Sequence, residues 1–203
     1  DFNKRFSIFI IFFIAMLMYE LGEYLGHRIA HKYFWEFHEF HHSATEMNIL
    51  NSVRLSFWEN LFISFPGAPF LVLANLLILK ASSEGYWFIF FIYVFWILGG
   101  ELFMHLGHST TKIIFPKPFS YVFASPSLHW LHHSTNPKHF EKNFGRVLCI
   151  WDRIFGTYLD ESHLKDITGF GVGKSEYNNH HPLYAYYILP INKLIKKFKI
   201  FFA

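Results

Sequence analysis

Charge is absent from two long stretches of this chain, residues 61–79 and 86–100, the second ending where Glu101 interrupts it. A helix needs about 20 apolar residues to cross the hydrocarbon layer of a bilayer. Both stretches approach that length, so they predict a membrane hairpin over 57–108 with its tip at 80–85. A shorter apolar run, 8–18, passes directly into Glu20, Glu23 and a histidine motif. A cleavable signal peptide would show a small-residue cleavage site there, so the run predicts a retained membrane helix from about Arg5 towards His31. Pro116, Pro118 and Pro126 exclude an uninterrupted helix between the hairpin and the next histidine motif. Gly169, Gly171 and Gly173 lack a preceding strand and a following helix, so this GxGxG fragment reads as plain loop rather than a nucleotide fingerprint.

Composition agrees with the pattern. The 203 residues fit one domain, and 52% hydrophobic with 22% aromatic content is too rich for an ordinary soluble fold of that size. Of the 18 Lys and Arg, only Lys4, Arg5 and Lys80 lie away from the side that carries the histidines, which makes that side cytoplasmic by the positive-inside rule. The basic residues are scattered or gathered at 193–199 among Ile, Leu and Phe, as in an interfacial amphipathic helix or a solvated helix face, and nothing points to nucleic acid. Cys149 is the single cysteine, which excludes an intramolecular disulfide and a thiolate cluster.

Histidine carries the chemistry. Ten of 14 fall in four compact boxes: His27 and His31; His38, His41 and His42; His105 and His108; His129, His132 and His133. Residues three or four apart on a helix lie about 5–6 Å apart on one face, close enough for two imidazoles to share a metal. On an ideal helix His27, His31, His38, His41 and His42 all fall within about 100°. A straight helix would nevertheless separate His27 from His42 by about 22 Å, too far for one paired site, so a break is predicted near 32–35. Within the third box either histidine could ligate while the other supports it, with His108 favoured. Glu20, Glu23 and Glu101 are candidates to orient imidazoles by accepting their second N–H. The competing assignment pairs them with Arg or Lys at the membrane surface. His163, His180 and His181 read as ordinary structural residues, and His139, close to the last box, as a weaker functional candidate.

Imidazole without thiolate suits Fe, Zn, Cu or Ni. A zinc hydrolase site takes three protein ligands and an open position, so ten histidines imply two metals. The chain does not show the Glu-x-x-His motif in the pairs that soluble di-iron bundles require. The motifs themselves are more specific. HRIAH, HEFHHSATEMN, HLGHS, HWLHHS, KNFG at 142–145 and WDRIFGTY at 151–158 together resemble the fatty acid hydroxylase and sterol desaturase superfamily over residues 15–160. Within it, bacterial-type members and alkylglycerol monooxygenases are most similar around HHSATEMN and WDRIFGT.

The resemblance implies an all-α integral membrane fold whose helical cytoplasmic cap carries a histidine-box dimetal site. It implies two Fe ions, with zinc a substitute in purified protein, and O2-dependent hydroxylation or desaturation of a fatty acyl, sterol or related lipid. Ligand roles carry over onto His27, His31, His38, His41, His42, His108, His129, His132 and His133, and onto His105 within the variable third box. A separate electron donor is implied as well, cytochrome b5-like or a ferredoxin and its reductase, because the chain has neither a dinucleotide fingerprint nor a haem segment. The whole of 1–203 is expected to form one membrane domain, with 161–203 a tail bearing the basic amphipathic segment. Competing readings are a membrane zinc hydrolase and a histidine-rich metal transporter; ligands gathered at one end of the helices disfavour transport.

Overall fold

The computed structural model describes residues 2–81 and 85–201, so residues 82–84 of the expected hairpin tip at 80–85 lie outside the described residues. The chain begins with α1 (Phe2–Tyr33), a single long helix that covers the predicted one from about Arg5 towards His31. Helical bonding ends where the Phe34 amide donates to Ala30 O at 3.0 Å. Phe34 itself leaves helical geometry, with φ −126° and ψ 37°, before α2 (Trp35–His42) begins. The break falls where the histidine spacing requires it, and it brings the His38 side of α2 back onto the His27 side of α1.

A 3₁₀ turn at Ile49–Val53 leads to α3 (Phe57–Ser64). Ser56 and Glu59 start this helix with a reciprocal capping box: the Ser56 hydroxyl accepts from the Glu59 amide at 3.0 Å and the Glu59 carboxylate accepts from the Ser56 amide at 3.2 Å. Here the expected unbroken membrane helix over 61–79 is corrected. The chain leaves helical bonding at Pro66 and Gly67 and resumes as α4 (Ala68–Ala81), with the two axes bent by 58°. Proline cannot continue an i to i−4 ladder, and the bend fits α1. A Cβ on Gly22 would stand 2.4 Å from Gly67 Cα, and one on Gly26 2.6 Å from Ile63 O. Backbones this close need small residues, as in other membrane helix pairs. Gly22→Ala is therefore expected to lower stability by about 1–3 kcal/mol through overpacking. A thermal melt of the purified protein in detergent checks this, and an unchanged midpoint would contradict the contact.

The apolar stretch 86–100 lies in α5 (Gly85–Gly107), which packs on α4 and whose Tyr93 hydroxyl donates to Leu71 O at 3.3 Å. Among the described residues one helix, Ile8–Tyr33, is long and apolar enough to cross a membrane, and the bent pair α3 and α4 passes the same test together. Phe9 and Phe13 on α1, Val72 and Leu76 on α4, and Phe90 and Leu98 on α5 all face outward. Such a surface suits lipid rather than water. The result is an all-helical membrane fold.

Beyond α5 the chain builds a cap from short helices, 3₁₀ turns and loops: α6 (Leu128–His132), α7 (Ile150–Ile154), α8 (Pro182–Tyr187) and α9 (Leu189–Phe201). Two isolated antiparallel bridges, Phe123 with Leu148 and Ser134 with Phe170, are the β-type pairings among the described residues. The cap closes on a small core of Ala124, Leu128, Leu131 and Cys149. A second core of Phe40, Tyr177, Ala185 and Leu189 ties the C-terminal helices to α2. Lys193 pairs with Glu39, Lys197 pairs with Glu36 at 2.9 Å, and Ser175 donates to Glu39 at 2.9 Å. The 161–201 segment thus braces the histidine-bearing α2, while Ile195, Phe198 and Ile200 on α9 stay exposed.

Candidate metal centre

Four elements converge on one point between the helices and the cap. α1 presents His27 and His31 one turn apart, and α2 returns with His38, His41 and His42. His108 stands one residue past α5. His129 and His132 lie on α6, which His133 caps. The imidazoles separate into two groups: His27, His31, His38, His42 and His132 form one, and His41, His108, His129 and His133 the other. Within each group one nitrogen per ring lies within 4.8 Å of all the others. The groups adjoin, because the His42 and His133 rings stack with centroids 4.2 Å apart. The structure does not bring in His105: its Nδ1 lies 2.7 Å from Glu101 O inside α5, and it belongs to neither group.

Hydrogen bonding fixes which nitrogen faces inward. His27 Nδ1 donates to Phe144 O at 2.9 Å, His132 Nδ1 to Lys142 O at 2.8 Å, His108 Nδ1 to Met104 O at 2.8 Å and His38 Nδ1 to the Glu59 carboxylate at 2.7 Å. A backbone carbonyl oxygen can only accept, so in His27, His132 and His108 Nδ1 carries the proton and Nε2 of the neutral ring is a lone pair; His38 takes the same tautomer when the Glu59 carboxylate is ionised. Yet the His27 and His132 rings adjoin with centroids 4.6 Å apart, and the buried His132 Nε2 has no hydrogen-bond partner. Facing lone pairs repel, and a cation between them removes the conflict. The donor set therefore fits metal ions by a test independent of motif.

Burial reinforces this. His38, His41, His42, His129, His132 and His133 all have pKa values held well below the usual histidine value, first by loss of solvent and then by neighbouring imidazoles. The rings stay neutral, which is the ligating form.

The outer partners differ from those the sequence suggests. Glu23 pairs with Arg146 at 2.8 Å and accepts from the Tyr19 hydroxyl at 2.8 Å; Glu101 lies 3.9 Å from Arg146, and Glu20 accepts from the Leu148 amide at 3.4 Å. The basic partner is Arg146, as in the competing assignment, and imidazole orientation falls mainly to backbone carbonyls and to Glu59. Sequence reading passed over Glu59, although Ser56-x-x-Glu59 before an apolar run is a visible capping signature. The WDRIFGT motif has a parallel role. Buried Asp152 accepts from the Phe144 and Gly145 amides at 2.8 Å each and from the Thr157 hydroxyl at 2.7 Å, fixing the loop whose Phe144 carbonyl holds His27. His181 Nδ1 accepts from the Leu183 amide at 3.3 Å, and His180 lies 3.6 Å from Glu176, both as surface structure.

Two cavities flank the histidines. One of about 100 Å³ has His27, His38, His41 and His129 on one wall and Leu55, Ile63, Phe103 and Met104 on the other. The other, about 580 Å³, lies on the cap side between His31, His42, His132 and His133 and the loop at Gly171 and Gly173. That glycine loop is indeed a loop, and its approach to the centre is close: a Cβ on Gly171 would stand 3.0 Å from Ala44 O.

The fold is an all-helical membrane fold carrying two adjoining histidine groups, and the family model for fatty acid hydroxylase matches residues 12–157. The chain belongs to this family. It is 31% identical over 160 residues to an alkylglycerol monooxygenase of Danio rerio, covering 73% of this chain and 30% of that protein. An alkylglycerol monooxygenase of Caenorhabditis elegans is 32% identical over 158 residues, covering 77% and 27%. The ornithine lipid hydroxylase OlsE of Rhizobium tropici is 29% identical over 148 residues, covering 71% and 40%. The chain thus spans less than half the length of these relatives. No solved structure matches it significantly.

Proposed function

We propose that this chain forms the metal-binding catalytic part of a membrane oxidoreductase that uses O2 to oxidise a C–H bond of a lipid, by hydroxylation or desaturation. The observation that carries the reading is the set of inward imidazole nitrogens, above all the buried and unpartnered His132 Nε2 beside the His27 ring, next to a cavity walled by apolar side chains of the membrane helices. Nine histidines, His27, His31, His38, His41, His42, His108, His129, His132 and His133, would hold two ions, with His105 left out of the set. Relatives named as monooxygenases and hydroxylases favour iron, because zinc has no redox chemistry to offer O2. For the same reason the zinc hydrolase reading has no specific support.

Bound iron would supply the electron transfer that O2 activation requires. Hydroxylation places one oxygen atom of O2 in the C–H bond and releases the other as water, consuming two electrons and two protons. Desaturation removes two hydrogens and releases both oxygens as water at the same electron cost. The chain's own part is positional. Glu59 and the carbonyls of Lys142, Met104 and Phe144 hold the rings; Leu55, Ile63, Phe103 and Met104 would seat an acyl or alkyl segment against them and exclude water. A separate protein, cytochrome b5-like or ferredoxin-type, would deliver electrons to the basic cap, which the positive-inside rule places in the cytoplasm. Lipid extracts from cells with and without the expressed full-length gene test the reading by mass spectrometry. A lipid gaining 16 Da marks hydroxylation and one losing 2 Da a new double bond (roughly, for one event per molecule). Unchanged lipids from cells holding iron-loaded protein and a competent donor would contradict it.

A further inference from the structure

Outside the paired groups, one more histidine is placed in an unusual way. His139 is 1% exposed, and neither of its ring nitrogens has a hydrogen-bond partner. A neutral imidazole carries one donor and one acceptor, and buried polar atoms are normally satisfied. His139 ends the 3₁₀ turn Pro137–His139, which stands against a second 3₁₀ turn, Glu161–Asp166. In a 3₁₀ helix residues three apart eclipse, so His163 and Asp166 share a face, with Nδ1 and Oδ2 3.1 Å apart. The His139 and His163 rings meet edge on, with centroids 6.3 Å apart. One ligand atom from each of His139, His163 and Asp166 lies within 4.8 Å of the other two.

We propose that His139, His163 and Asp166 form a third metal site, separate from the paired centre, that takes one divalent transition-metal ion of zinc type. Two imidazoles and a carboxylate with an open fourth position make an ordinary zinc donor set. Ligands about a tetrahedral zinc with bonds of about 2.0–2.2 Å stand roughly 3.3–3.6 Å apart. The three side chains must therefore draw in somewhat, and His163 and Asp166 are partly exposed and free to do so. The two turns are already docked, since the Asn136 side chain donates to Asp166 O at 2.9 Å while its oxygen accepts from the Lys138 amide. An ion here would pin the loop that begins at box four and ends at Lys142, whose carbonyl holds His132. His163 and Asp166 lie beyond residues 12–157, so two of the three ligands fall outside the family-matched region.

The test counts zinc on the full chain in detergent. Wild type, His163→Ala and Asp166→Ala are stripped with a chelator, reloaded with zinc alone, washed and measured by elemental analysis, with circular dichroism confirming the fold. Each variant is expected to hold one zinc fewer than wild type, and Asp166→His, which restores a ligand, is expected to regain it. Zinc should also raise the melting temperature of wild type above that of His163→Ala. Equal zinc counts in wild type and both alanine variants would overturn the site, leaving an ion pair beside a hydrated His139. The two alanine positions are partly exposed, so the result does not depend on how a His139 variant folds.

Discussion

His133→Ala is expected to strip metal from the four-histidine group and to abolish lipid oxidation. His133 Nε2 lies 2.9 Å from His129 Nε2 and 3.0 Å from His41 Nε2, and its ring stacks on His42 of the neighbouring group. One substitution therefore removes one of four ligands and the contact that joins the two groups. Loss of an outer partner typically costs about 10- to 100-fold in metal affinity or activity, and loss of a ligand should exceed that. Elemental analysis of purified protein, with product measured on the same preparation, checks both halves. His105→Ala is the matched control, expected to keep its metal because His105 bonds to its own helix at Glu101 O. Full turnover by metal-depleted His133→Ala would remove the assignment.

Glu59→Ala is expected to weaken metal binding by about 10- to 100-fold while leaving every histidine in place. The Glu59 carboxylate is 1% exposed and accepts from His38 Nδ1 at 2.7 Å, so it fixes the tautomer that points Nε2 at the metal. It also caps α3 through the Ser56 amide, a contact worth about 1 kcal/mol. Glu59→Gln retains an oxygen for His38 and should recover much of the affinity, which separates orientation from simple loss of fold. Competition with a chelator of known affinity reads the change, and equal affinity in wild type and Glu59→Ala would contradict the role.

Much of the centre was legible because imidazole ligation demands close spacing. HxxHH places two rings on one face of a turn, and the excessive length of a straight helix from His27 to His42 required the break found at Phe34. His105 and His108 show the limit of spacing. They lie three apart, yet α5 ends at Gly107, so His108 turns into the centre while His105 stays bonded to its own helix. The bend at Pro66 and Gly67 had its local signal, but hydrophobic continuity outweighed it; the tight fit of Gly22 against Gly67 depends on two distant segments and has no local trace. Carboxylate roles were read from helical distance to His27, whereas Arg146, far along the chain, captures Glu23. The grouping of His139 with His163 and Asp166 likewise arises only when two loops dock.

The central claim is that nine imidazoles hold two redox-active ions. X-ray absorption at the iron edge, on protein reconstituted with ferrous iron, measures this directly. The account predicts a first shell led by nitrogen, with between four and five imidazoles per iron as the five- and four-membered groups require, and a clear loss of imidazole signal in His133→Ala. A shell made mainly of oxygen, with one or two imidazoles per iron and no change in that variant, would contradict it.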